Sequence, residues 1–144
     1  MQNPPPVQVS SQPPAQAGKS STGLDENIAA LLSYIFGWVS GLIFFLIEKD
    51  SRLVRFHAMQ SLLFNVLVGV VAIALWIVLF IVFMIAAQLS SALATVLSLV
   101  SILVWGVFLL AILAGFILCL VKAFQGQYFK LPVIGNFAEK FSAK

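Results

Sequence analysis

The stretch Arg52-Leu53-Val54-Arg55-Phe56-His57-Ala58-Met59-Gln60-Ser61 decides how the rest of this chain is read. It joins two long apolar runs and concentrates charge and polar side chains between them. Arg52 and Arg55 follow Glu48, Lys49 and Asp50, and beyond His57 no charged side chain recurs until Lys122. On a helix advancing about 100° per residue, His57, Gln60, Ser61, Phe64 and Asn65 fall within an arc of about 140°. A polar stripe therefore climbs about two turns into an otherwise apolar segment. Facing lipid, such side chains cost free energy unless they are bonded, so the stripe is expected to face protein or a water-filled path. Two readings fit. In the first, His57, Gln60, Ser61 and Asn65 form a packing seam that bonds a neighbouring helix. In the second they line the mouth of a polar pathway, gated by His57 because imidazole titrates near neutrality.

Working outward, residues 58–121 form a 64-residue tract without formal charge. At 1.5 Å per residue it could make about 96 Å of helix, about three hydrocarbon thicknesses. Its clustered polar break is Gln88-Leu89-Ser90-Ser91, so two long tilted spans, about 60–87 and 93–121, fit better than three short ones. A connector this short predicts an antiparallel hairpin. Upstream, residues 28–47 give twenty positions without charge, enough for one further crossing that would act as an uncleaved signal anchor. The fold expected is thus an all-α integral membrane protein with three transmembrane helices, at about 28–47, 60–87 and 93–121.

Small residues recur at intervals of four in two of these spans: Ser33, Gly37 and Gly41 in the first, Ala111, Gly115 and Cys119 in the third. Such strips let another backbone approach closely, so both are candidate helix-packing faces. Cys119 reads as a small buried residue rather than a reactive thiol. Residues 1–24 hold five of the six prolines with Gln and Ser between them, a composition that cannot bury enough apolar surface to fold. The helical transmembrane domain is therefore expected over 25–144, with Thr22 and Asp25 offering N-cap chemistry at its start. After Lys122, aromatic and basic residues mix, and Pro132 suits the first turn of a short helix; this reads as an interfacial segment lying on the membrane.

With 61% hydrophobic and 9% charged residues, the chain falls outside the range of soluble domains. Its mean hydropathy is +1.06. The net charge of +3 comes from basic residues at membrane borders, so nucleic acid is not an expected partner. Lys49, Arg52, Arg55, Lys122 and Lys130 read as topology anchors that meet lipid headgroups. Seven of the eight basic residues lie in the first connector or after the last span. With three crossings, that bias predicts an N-terminus outside and a C-terminus in the cytoplasm. One His and one Cys without carboxylate spacing predict no metal site, and no cofactor is expected.

Two motifs resemble a known family. Arg52-Leu-Val-Arg55-Phe56-His57-Ala58-Met59-Gln60-Ser61-Leu62 is similar to the arginine–aromatic–Gln signature of the Tic-type translocon component of the chloroplast inner envelope. Gly126-Gln127-Tyr128-Phe129-Lys130-Leu131-Pro132-Val133-Ile134 resembles the segment that follows that family's last span, and small prokaryotic membrane proteins of unknown function share both. The resemblance covers about residues 25–141 and implies a four-helix fold, a role in protein import for the plant members, and a prokaryotic plasma membrane location here.

The functional expectation is a small multi-pass protein acting through helix–helix association, as a transport or translocation accessory. The alternative is a structural or assembly factor with no conducted substrate. In either case the partners are the lipid bilayer and a second copy or another membrane protein. Enzyme activity is not expected: there is no HExxH, no GxSxG and no pair of membrane-embedded carboxylates.

Overall fold

A computed structural model describes residues 18–142. Its elements are α1 (Glu26–Ile35), α2 (Trp38–Ile47), α3 (Arg52–Leu89), α4 (Ser91–Phe124) and α5 (Ile134–Ser142). Ser90 alone separates α3 from α4, closing one helix and capping the next, so the two form the expected antiparallel hairpin. With 38 and 34 residues, both are long and apolar enough to cross a membrane. Beyond Ser61, α3 buries only Ala86, and α4 buries only Cys119 and Ala123. A core helix of a soluble protein would cover this surface. Here the side chains of Val70, Ile73, Ile102 and Leu103 point outward, and hydrocarbon is the solvent that accepts such a face.

The expected first span over 28–47 is corrected. The run breaks at Gly37, whose φ of +61° lies in a region that residues with a Cβ rarely enter. Ser40 satisfies the backbone groups freed by the break: its hydroxyl accepts the Phe36 N–H at 3.1 Å and donates to the Ser33 carbonyl at 3.0 Å. The two arms, ten residues each, fold back as a helical hairpin about 15 Å deep, half of a hydrocarbon core of about 30 Å. Its tip meets α3 at Asn65, since a Cβ on Gly37 would sit 3.1 Å from the Asn65 Oδ1. The 24 residues of α3 beyond that point, about 36 Å of helix, run on without the hairpin.

Both feet of the hairpin rest at one end of the bundle. Residues 18–24, placed in the tail by sequence, form a turn with Ser20 N–H on Leu24 O and Gly23 N–H on Ser20 O, each at 2.8 Å. That turn is bonded to Glu48, at the other foot, through Ser20 and Ser21. The expectation that the N-terminal segment and the first connector lie on opposite sides is therefore corrected for residues 18–25. Residues 1–17 of the expected tail are outside the described residues. Asp25 precedes α1, but its side chain makes no capping bond.

Small residues make the close crossings. Ala29, Ala30 and Tyr34 of α1 pack on Val54 of α3 and on Cys119 and Ala123 of α4. A Cβ on Gly41 would come within 2.9 Å of the Ala58 carbonyl, so α2 approaches the α3 backbone as closely as glycine permits. The strip Ser33–Gly37–Gly41 is not one continuous helical face, because Gly37 is the break. In α4, Cys119 is buried and Gly115 meets the Phe64 ring, whereas Ala111 is exposed, so the second strip is in contact over only part of its length. After α4, Gly126 turns the chain at φ +67°, and α5 docks Ala138 against Phe56 and Met59 at the start of α3, with Ile134 also buried and Gly135 close against Lys130. Phe137 and Phe141 of α5 stay exposed.

Candidate functional site

A buried polar knot forms where α1, α3, α4 and the segment before α5 converge. It consists of Tyr34, His57, Gln60 and Cys119, each at most 1% exposed, and the main-chain carbonyls of Gln127 and Phe129. The helical arc predicted for the stripe places His57 and Gln60 on the same side of α3, and the fold brings the chain 70 residues later against them.

The bonding pattern fixes the roles in the knot. His57 Nε2 lies 3.0 Å from the Gln127 carbonyl, which can only accept, so Nε2 carries the proton. In a neutral ring Nδ1 is then the acceptor, and it takes the Tyr34 hydroxyl proton at 3.1 Å. Tyr34 in turn accepts from Gln60 Nε2 at 3.3 Å, which agrees with a hydroxyl that donates to His57. The same Gln60 nitrogen reaches Phe129 O at 3.0 Å and Cys119 Sγ at 3.6 Å, while its Oε1 accepts the Leu131 N–H at 3.4 Å. His57 and Gln60 therefore clamp residues 127–131 onto α3, and Tyr34 ties α1 to the same point.

The upper half of the stripe does something different. Ser61 donates to the Gly37 carbonyl at 3.2 Å, and Asn65 Nδ2 returns to the Ser61 carbonyl at 2.9 Å. Ser61 bonds the hairpin tip, while Asn65 bonds within α3 and its side chain lies against Gly37. The four stripe residues thus serve two places in the fold.

A second polar cluster lies at the hairpin's feet. Glu48 is fully buried and its carboxylate accepts from Ser20 Oγ, the backbone N–H of Ser21, Asp50 and Ser51, and Ser21 Oγ. Burial alone would raise its pKa, but these donors outweigh it and hold the carboxyl at about 2. Arg55 donates from Nη1 to the Glu48 carbonyl at 3.1 Å and stacks over Phe45 at 5.0 Å. Lys49 and Arg52 are exposed at the same end. Lys122 donates to the Gln127 side chain at 2.9 Å, and Lys130 pairs with Glu139 at 2.7 Å. Among the described residues, no three His, Cys, Asp or Glu side chains come together as a metal-binding group.

Sequence reasoning missed Tyr34, Glu48 and the Ser20–Ser21 pair. Tyr34 carried a signal, being the one phenol in an apolar run, as did Glu48, a carboxylate at the end of another. The carbonyls of Gln127 and Phe129 carried none, because every residue has one.

Two lipid-facing helices, a half-depth hairpin and a polar knot at one end define a small integral membrane protein. The chain belongs to the magnetosome magnetite crystal formation protein family, MamF/MmsF, whose profile matches residues 24–138. It is 38% identical over 125 residues to a UPF0132 membrane protein of Methanocaldococcus jannaschii, covering 87% of this chain and 96% of that one. A UPF0132 membrane protein of Archaeoglobus fulgidus is 34% identical over 117 residues, covering 81% and 95%. A second from M. jannaschii is 31% identical over 119 residues, covering 83% and 71%. No solved structure matches. These findings overturn the Tic-type resemblance: both motifs that suggested it lie within the span matched by the MamF/MmsF profile, and its relatives are archaeal membrane proteins.

Proposed function

We propose that this chain is a non-catalytic membrane protein that acts by associating with other membrane-embedded chains, its own copies included. The observation that carries this reading is the bonding of His57 and Gln60: both ring nitrogens and both amide atoms have partners within the protein. Polar groups satisfied in this way rigidify a fold and specify one packing arrangement. The surface left for association is the bare face of α3 and α4 over residues 66–113. The transport reading draws no support from the knot, because a conducting stripe needs side-chain atoms free to bind water or solute. The family is named for magnetite crystal formation, and no mineral chemistry is carried over from it; the membrane setting is supported by the archaeal relatives, which are named as membrane proteins.

Orientation belongs to the same proposal. All seven basic residues that the structure describes, Lys19 included, lie at the end where the knot and the hairpin feet sit, while the Ser90 turn is uncharged. A bias of that kind supports a charged end in the cytoplasm and a Ser90 turn outside. Proteoliposomes test the functional reading. Gln60→Leu and His57→Leu are expected to lower thermal stability and the yield of assembled complexes, with solute leakage unchanged from empty vesicles. A solute flux through the native protein that disappears in a folded His57→Leu variant would replace association with conduction.

A further inference from the structure

The bundle is asymmetric across the membrane. Four helices, α1 to α4, share the half that contains the hairpin, and only α3 and α4 continue beyond Asn65. With helices about 10–12 Å wide including side chains, two extra ones add about 160–220 Å² of cross-section on one side. The hairpin is dressed for lipid: Phe36 and Trp38 at its tip are 76% and 55% exposed, and Leu46 and Ile47 near its foot are exposed as well. α5 adds to the same side. It is packed against the start of α3 through Ala138, and it turns Phe137 and Phe141 outward next to Lys140. An amphipathic helix with that arrangement lies at the headgroup boundary and pushes lipids apart there.

From this shape we propose that the protein is a one-sided wedge that partitions into bilayers whose leaflet on the side of the hairpin feet is convex. The ligand is the lipid surface itself. Excess cross-section in one leaflet is accommodated with less lipid compression where that leaflet is stretched by curvature, and binding through such insertion is curvature-sensitive. The inference rests on the hairpin not crossing; it does not depend on whether the protein associates or conducts.

The test uses the full chain with Cys119→Ser, carrying a single reporter, Lys49→Cys or Ser90→Cys, reconstituted into vesicles of one lipid composition extruded to small and large diameters. A membrane-impermeant maleimide reads which end faces outward. First, in large vesicles, the two reporters must label from opposite sides, which establishes the crossing pattern independently of curvature. The wedge then predicts that the ratio of molecules with position 49 outward to those with it inward rises about two-fold in the small vesicles. Protein offered to a mixture of both sizes should be enriched on the small ones by a similar factor. The same orientation ratio and the same protein-to-lipid ratio at both diameters would overturn the proposal.

Discussion

The Ser20 hydroxyl donates to the buried Glu48 carboxylate, across 28 residues of sequence. Everything between them is the α1–α2 hairpin, so this contact joins its two feet and holds them at one end of the molecule. Ser21 reinforces it, bonding Glu48 through both its backbone N–H and its hydroxyl and reaching Asp50 at 2.7 Å. A carboxylate that collects this many donors from water-competent groups must remain ionised to keep them.

That requirement gives a pH dependence. The Glu48 carboxyl is held at about 2 in the folded protein against 4.5 as the ordinary value. Its contribution is present in full above about pH 4.5 and is lost as the pH falls through that value toward 2; the loss amounts to at most about 3–4 kcal/mol. Thermal unfolding in detergent at stepped pH checks this, and Glu48→Gln should flatten the curve between those limits. A native melting profile that stays level from pH 5 to about 2.5 would contradict it.

Gln60→Leu removes the clamp on the chain before α5. Phe129 O, Leu131 N–H and Tyr34 OH lose a partner in a buried setting, at a cost of about 2–4 kcal/mol. Limited proteolysis should then cut within residues 125–133 ahead of any other site. Native resistance at that segment would show that docking of α5 alone holds it.

Gly41→Ala tests the closeness of α2 to α3. The added methyl would meet the Ala58 carbonyl at 2.9 Å and the Leu62 nitrogen at 3.1 Å, so backbone must move. Overpacking of this kind costs about 1–3 kcal/mol. The same change at Gly69, inside α3 with nothing within 4 Å, should raise the monomer's stability by about 0.5–1 kcal/mol. Equal melting temperatures for the two variants would count against the crossing described here.

Val133 has a φ of +73° with its side chain 70% exposed. A β-branched residue is strained in that conformation, whereas asparagine tolerates it. Val133→Asn is expected to stabilise the docked α5 by about 1 kcal/mol, measured by hydrogen exchange of the α5 amides. Faster exchange in the variant would mean that the valine side chain contributes packing that outweighs its strain.

The α3–α4 hairpin was legible in the sequence because charge was absent for 64 residues and polarity returned only at 88–91. The α1–α2 hairpin was not. Twenty apolar residues satisfy a length rule equally well as one crossing or as two ten-residue arms, and a glycine at 37 suits a packing strip as well as a turn. The sequence did contain a discordant note. A three-crossing arrangement leaves Lys19 alone on the far side, whereas the hairpin puts it with Lys49, Arg52 and the other basic residues. The stripe His57–Gln60–Ser61–Asn65 was legible as a polar face, since helical periodicity alone defines it. Its division between the knot and the hairpin tip was not, because that depends on where carbonyls from residues 37, 127 and 129 arrive in space.

Residues 28–47 enter and leave at the same end, their feet joined by the Ser20–Glu48 bond. Single cysteines at Lys19, Lys49, Ser90 and Lys140, on a Cys119→Ser background in native membranes, test it through labelling by an impermeant maleimide. Positions 19, 49 and 140 are expected to label from one side and position 90 from the other. Position 19 labelling with position 90, and against 49 and 140, would restore a crossing over 28–47 and contradict the hairpin.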